Sequence, residues 1–223
     1  MAASLVGRES DARLGGRLLA RVAEQGSAAH PYLSSEALLR GPHAARNLAD
    51  AIHFLCALHA RHPGVVDHAA ARAVDPAARQ WFASTVPAFA GERGLLARLA
   101  VGAGPLPSTP GAADNQAAAL GQRHALEMLA QSERNGCALG AALAVVADWS
   151  AIRAVLDVAA ARFGVQVPPC ALDAPHALHA FADGQDEGPG FERALMFGAE
   201  QVLLQHFGLW DLLEARQEAR GDN

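Results

Sequence analysis

His59, Asp148 and His206 each fall inside an otherwise apolar helical stripe, which makes them the first residues to weigh for chemistry. At about 100° per residue, Ala45, Leu48, Ile52, Leu55 and Cys56 share one face, with His59 near its centre. Asp148 falls with Ala141, Val145, Ile152, Val155 and Ala159. His206 lies among Leu195, Ala199, Val202, Leu203, Leu209, Trp210 and Leu213, and Glu192 begins the same face. Two neutral imidazoles and one carboxylate suit a divalent iron, manganese or zinc ion, with coordination positions left open for substrate or oxygen. The same side chains also admit a structural reading. Each histidine is then a core residue satisfied by one hydrogen bond, and Asp148 caps a second helical segment that begins at Trp149. A third reading is metal-free acid–base chemistry by an Asp148–histidine dyad within hydrogen-bond reach.

Other polar residues lie on the flanks. Arg46 and Asp50 are four apart and His53 follows three later, a row of charges on one helix. Ala45 and Cys56 belong to the inner face of that helix, and His43, Asp50 and Arg61 lie opposite. His124, Glu127 and Gln131 form a second row, beside an inner face of Gly121, Ala125, Met128, Leu129 and Ser132. His53, Asp50, His124 and Glu127 are therefore expected either as outer or entrance groups of the inner site or as solvated ladders. Ser150, Arg153 and Asp157 form the polar strip of the helix that carries Asp148. His176 and His179, after Asp173 and Pro175, have the spacing of a candidate metal pair, but in a short exposed segment.

Missing motifs narrow the chemistry. The chain has no Glu-x-x-His; it offers Asp50-x-x-His53 and the reversed His124-x-x-Glu127, which argues against a ferritin-type di-metal site. It also lacks GxGxxG, GxxxxGK[ST], GxSxG, HExxH and an aspartate-rich diphosphate motif. There is no lysine at all, so Schiff-base chemistry and lysine-bound pyridoxal phosphate are excluded.

The elements that must position these residues are helical. Among 223 residues there are 52 alanines and 18 arginines, against 14 valines and four isoleucines plus threonines, too little β-branched material for a sheet. The expectation is an all-α, single-domain bundle of about six to eight helices over residues 1–223, with ends frayed at about 1–8 and 217–223. Alanine and arginine richness without lysine is what GC-rich codons produce, so arginine number alone says nothing of anion binding. A net charge of −5 with scattered arginines gives no basic stripe, so nucleic acid is not expected as a partner. Three separated cysteines without a CxxC suit a reducing cytoplasm. Arg8, Glu9 and Asp11 occupy the place of a signal peptide's apolar region, so export is not expected. The longest uncharged apolar run, Gly136 to Ala147, is short of the roughly 20 residues of a span, so no membrane is expected either. A small-molecule ligand and a homo-oligomer stay open as partners.

Punctuation places the helices. A first helix runs from about Ser10 to Gln25 and stops at Gly26 as a C′ glycine. A short turn from Ser35 is followed by a long helix from Pro42 to His62, ended by Pro63, and a short one over 64–73. Asp75-Pro76 opens a helix broken near Pro87 and resumed to about Val101. The Pro- and Gly-rich stretch Gly102 to Gly111 is a surface loop. Ala113 to Arg134 is a further helix, turned at Asn135-Gly136. Cys137 to Phe163 is apolar nearly all round and is the central helix, closed by Gly164. Residues 170–190 are short-helical at best, and a last helix runs from about Gly190 to Arg216. Gly136 and Gly140, four apart, permit a close helix crossing.

GPHAARNLADAIHFLCALHARHPG (41–64) and QRHALEMLAQSERNGCALGAALAVVADW (122–149) resemble uncharacterised all-helical bacterial proteins grouped as a domain of unknown function. The resemblance covers about the middle half of the chain and implies a helical fold without an assigned activity. The long-helix layout is also similar to the haem-oxygenase-like fold, whose axial histidine motif matches no position here. Fold likeness of that kind carries no function.

Overall fold

The computed structural model describes residues 13–185 and 187–221. Among them lie nine α-helices and no strand. The helices are α1 Leu14–Gln25, α2 Glu36–Leu39, α3 Ala44–His59, α4 Val65–Arg72, α5 Pro76–Ala103, α6 Ala112–Ala130, α7 Cys137–Phe163, α8 Pro175–Asp183 and α9 Pro189–Ala219. Two 3-10 turns, Ser27–Ala29 and Pro31–Ser34, join α1 to α2. The expected first turn from Ser10 and the frayed segment 1–8 lie outside the described residues.

The all-round apolar sequence of α7 makes it the axis of the bundle. It packs against α1, α3, α4, α5, α6, α8 and α9. Leu143, Val145, Ile152 and Leu156 are fully buried, each burial stabilising the fold by roughly 1.5–3 kcal/mol. Among the described residues α7 is the one helix long and apolar enough to cross a membrane, but 78% of its most apolar window is covered by the rest of the protein. Its closest partner is α9. A Cβ at Gly140 would overlap the Leu195 carbonyl oxygen, and one at Gly198 would overlap that of Cys137, so glycine on both helices sets the crossing distance.

Several boundaries differ from expectation for physical reasons. α5 is continuous through Pro87, because Pro87 and Ala83, whose carbonyl loses its donor, both lie on the exposed face. Asp75 still caps the start, accepting the Ala78 N–H at 2.7 Å. α3 ends at His59, short of Pro63. α7 runs unbroken through Asp148, so that carboxylate is not a helix cap. Residues 217–219 continue α9 rather than fraying, since Gln217 is buried and Arg220 joins an internal ion-pair network. Gly26 does end α1, but in an extended conformation (φ −79°, ψ −179°) rather than a left-handed one. What it supplies is room: a Cβ there would stand 2.5 Å from Asp148 Oδ1.

Candidate functional site

Helical periodicity points His59 from α3, Asp148 from α7 and His206 from α9 into the same core, and they meet there. His59 Nε2 and His206 Nε2 are 3.0 Å apart, and His206 Nδ1 is 2.7 Å from Asp148 Oδ2. Asp148 also accepts the Ser27 N–H on Oδ1 at 2.8 Å and the Ser27 hydroxyl on Oδ2 at 2.6 Å. The result is a four-residue chain, Ser27–Asp148–His206–His59, whose members are at most 3% exposed. Asp148 lies on the far nitrogen of His206 from His59. The three residues expected to surround one point therefore form a line.

Ser27 escaped sequence reading because it stands outside any helix, in the turn after α1, where no period reports burial. Its N–H reaches Asp148 because Gly26 leaves the approach open.

Burial holds His59 well below the ordinary imidazole value of 6.5, helped by the charges of His206 and Arg93. A neutral His59 leaves a single proton between the two facing Nε2 atoms. The sign for stability follows. Below pH 6.5 the unfolded chain binds a proton at His59 that the folded chain refuses, so stability falls as pH drops, by up to about 1.4 kcal/mol per unit. Urea midpoints between pH 7.5 and 5.5 should decline more steeply in the wild type than in His59→Gln. Parallel slopes would show that His59 already carries charge in the fold.

An aromatic wall joins this chain to a second cluster. The His59 ring stands edge-on to Trp149 at 5.3 Å and to Phe89 at 6.2 Å. Trp149 Nε1 donates to Glu92 Oε2 at 2.9 Å, and the other Glu92 oxygen takes Arg153 Nη1. Arg153 is thus buried, unlike Ser150 and Asp157 of the same polar strip, which are exposed. Glu92 was legible in principle: Thr85, Phe89, Glu92, Leu96 and Leu99 share one stripe of α5.

Asp50 is likewise buried, contrary to a solvated ladder. It accepts Arg216 Nη2 at 2.9 Å and also pairs with Arg220, which in turn donates to Asn47 Oδ1 at 2.6 Å and Thr109 Oγ1 at 3.0 Å. α3 is covered on more than one face, because α9 and the loop after α5 close over the side expected to meet water. Ala45 and Cys56, expected inside, are half-buried. Burial pushes the Cys56 thiol up to about 11, so it stays protonated and is no nucleophile.

The remaining candidates are scattered. His53 Nε2 is 2.7 Å from the Gly104 carbonyl and lines a cavity of about 340 Å³ with Phe54, Leu106 and Gln116. Glu127 pairs with Arg61 and Arg123 and lines a separate cavity of about 220 Å³. His124 is exposed, as are Gly121 and Met128, which were expected inside; α6 buries Ala119, Leu126 and Ala130 instead. His179 pairs with Asp183 at 3.5 Å, while His176 is exposed. Among the described residues no group of three His, Cys, Asp or Glu is arranged to hold a metal ion. Neither these two cavities nor a third, of about 410 Å³, is lined by His59, Asp148 or His206.

A family model described as a family of unknown function (DUF6975) matches residues 22–221. No curated protein and no solved structure matches the chain, so the haem-oxygenase-like layout finds no counterpart there.

Proposed function

Since the chain belongs to this family of unknown function, which brings no activity with it, we propose from the geometry that it is a non-catalytic binding or scaffold protein whose inner histidines are structural. One observation carries this reading: the inward ionisable residues satisfy one another and line none of the three cavities. A general base must come within about 3.2 Å of the proton it takes, and His59, 3% exposed and walled by Trp149 and Phe89, offers no such approach. Ser27, Asp148, His206 and His59 tie the turn after α1 to α7, α9 and α3. The neighbouring helices α6 and α9 expose Leu120, Met128, Phe197 and Leu204, apolar surface for a protein partner or a second copy.

The facing imidazoles support one other reading. Two nitrogens bound to a single tetrahedral zinc at about 2.0–2.1 Å lie roughly 3.3–3.4 Å apart, a few tenths of an ångström beyond the Nε2 separation of 3.0 Å. His59 and His206 would be the ligands, with Asp148 orienting His206 from behind. Metal analysis of protein purified without an affinity tag separates the two. Under the structural reading, iron, manganese and zinc are each far below one per chain, and added zinc leaves Tm unchanged. A stoichiometric ion that is lost in His206→Ala would replace the structural reading with the metal one.

A further inference from the structure

The cavity of about 340 Å³ between α3, the loop after α5 and α6 differs in kind from the other two. Charged side chains line those, among them Arg72 and Glu133 in one and Arg61 and Glu127 in the other. Phe54, Ala57, Leu106, Ala119 and Leu120 make the apolar wall of this one, and the polar side chains that line it are the uncharged Gln116 and the imidazole of His53. A mostly apolar cavity of this size with one or two placed polar groups has the make-up of a small-molecule site. An apolar cavity of about 150 Å³ already holds benzene, so this one admits a body of two fused rings.

The half-buried histidine is set to play one part. Its Nε2 stands 2.7 Å from the Gly104 carbonyl oxygen, and a carbonyl oxygen only accepts, so the proton of the neutral ring is on Nε2. Gly104 ends α5 at φ +76° and ψ −158°, a conformation essentially confined to glycine, and this is how the chain turns out of the helix beside the ring. Nδ1 is left as a hydrogen-bond acceptor. No described residue bonds to it, and it is not sealed inside the protein, so it stays open to an incoming donor.

We propose that this cavity binds a small uncharged aromatic molecule carrying one hydroxyl or N–H donor. The ring system lies against Phe54, Leu106 and Leu120, and the donor bonds to His53 Nδ1. Gln116, which is exposed and both donates and accepts, meets a polar substituent of either kind at the mouth. Charge decides the class. An anion entering here gives up water without meeting a lining arginine, and a cation meets no lining carboxylate. The donor decides within the class, because a ligand with an acceptor alone leaves Nδ1 facing lone pairs. The site goes beyond the structural role given to the inner histidines and does not depend on it.

Titration of the ¹⁵N-labelled full chain with 2-naphthol, 2-methoxynaphthalene and 2-naphthoate near neutral pH tests the proposal. 2-Naphthol should give saturable shifts at the Ala57, Ala119 and Leu120 amides. It should bind about fivefold tighter than 2-methoxynaphthalene, which keeps the rings and the oxygen but has no donor. 2-Naphthoate, an anion, should be at least about tenfold weaker than 2-naphthol. His53→Phe should bring 2-naphthol down to the affinity of its methyl ether. His53→Gln, whose amide donates to Gly104 and still presents an oxygen, should keep the preference. Ala57→Phe should fill the cavity and abolish the shifts. No saturable shifts, equal affinity for naphthol and its methyl ether, tighter binding of naphthoate, shifts mapping away from α3 and α6, or naphthol binding unchanged in His53→Phe would each overturn it. The comparison among the three ligands needs no variant to fold.

Discussion

Asp148→Ala should cost the protein about 4 kcal/mol, among the largest effects of any single change, because one carboxylate serves three buried donors. The Ser27 N–H, the Ser27 hydroxyl and His206 Nδ1–H all lose their acceptor at once, and each buried donor without a partner costs about 1–3 kcal/mol. Asp148→Asn should be much milder, at about 1–2 kcal/mol. Its oxygen still takes the Ser27 N–H, and its NH₂ donates to His206 Nδ1. His206 then carries its proton on Nε2 and donates it to His59. Urea denaturation reads the difference between the variants, and ¹⁵N shifts of the His206 ring read the tautomer. A loss below about 1 kcal/mol in Asp148→Ala would mean that water or a neighbour replaces the carboxylate easily.

Asp50→Ala should destabilise by about 3–5 kcal/mol for a different reason, an uncompensated buried charge. The Arg216 side chain is fully buried, and its Nε and Nη1 have no hydrogen-bond partner among the described residues. The guanidinium carbon lies 4.8 Å over the Phe54 ring, so Asp50 is its one charged partner among the described residues. Removing the acid strands the base. Asp50→Leu combined with Arg216→Met should recover at least half of the loss, since a well-packed apolar pair can replace a buried ion pair. A double variant as unstable as Asp50→Ala would show that the damage is a packing defect and not stranded charge. Urea midpoints of the three proteins decide it.

Much of this was legible beforehand. Periodicity on α3, α7 and α9 placed His59, Asp148 and His206 inward, and all three are buried. The same 100° rule contained Glu92 on the stripe of α5 and Arg216 on that of Val202, His206, Leu209 and Leu213, although neither was singled out. It failed on α6. Where alanine occupies most positions, inner and outer faces differ little in apolar area, and Met128 lies 62% exposed as a result.

By itself the sequence determined the class of the fold, the central place of α7, the glycine stops, and the exclusion of lysine chemistry. These follow from propensity, capping and composition, which act over a few residues. The tertiary structure alone decided that Asp148 reaches the outer nitrogen of His206, that Ser27 completes the chain, and that Asp50 faces arginines from the far end of α9. Which stripes abut, and with what offset, depends on how far each helix slides past the next. That is set by close packing, here by Gly140 and Gly198 letting α9 sink onto α7 and Gly26 letting a carboxylate in, over separations from 55 residues (Gly140 to Leu195) to 121 (Ser27 to Asp148) that no local period encodes.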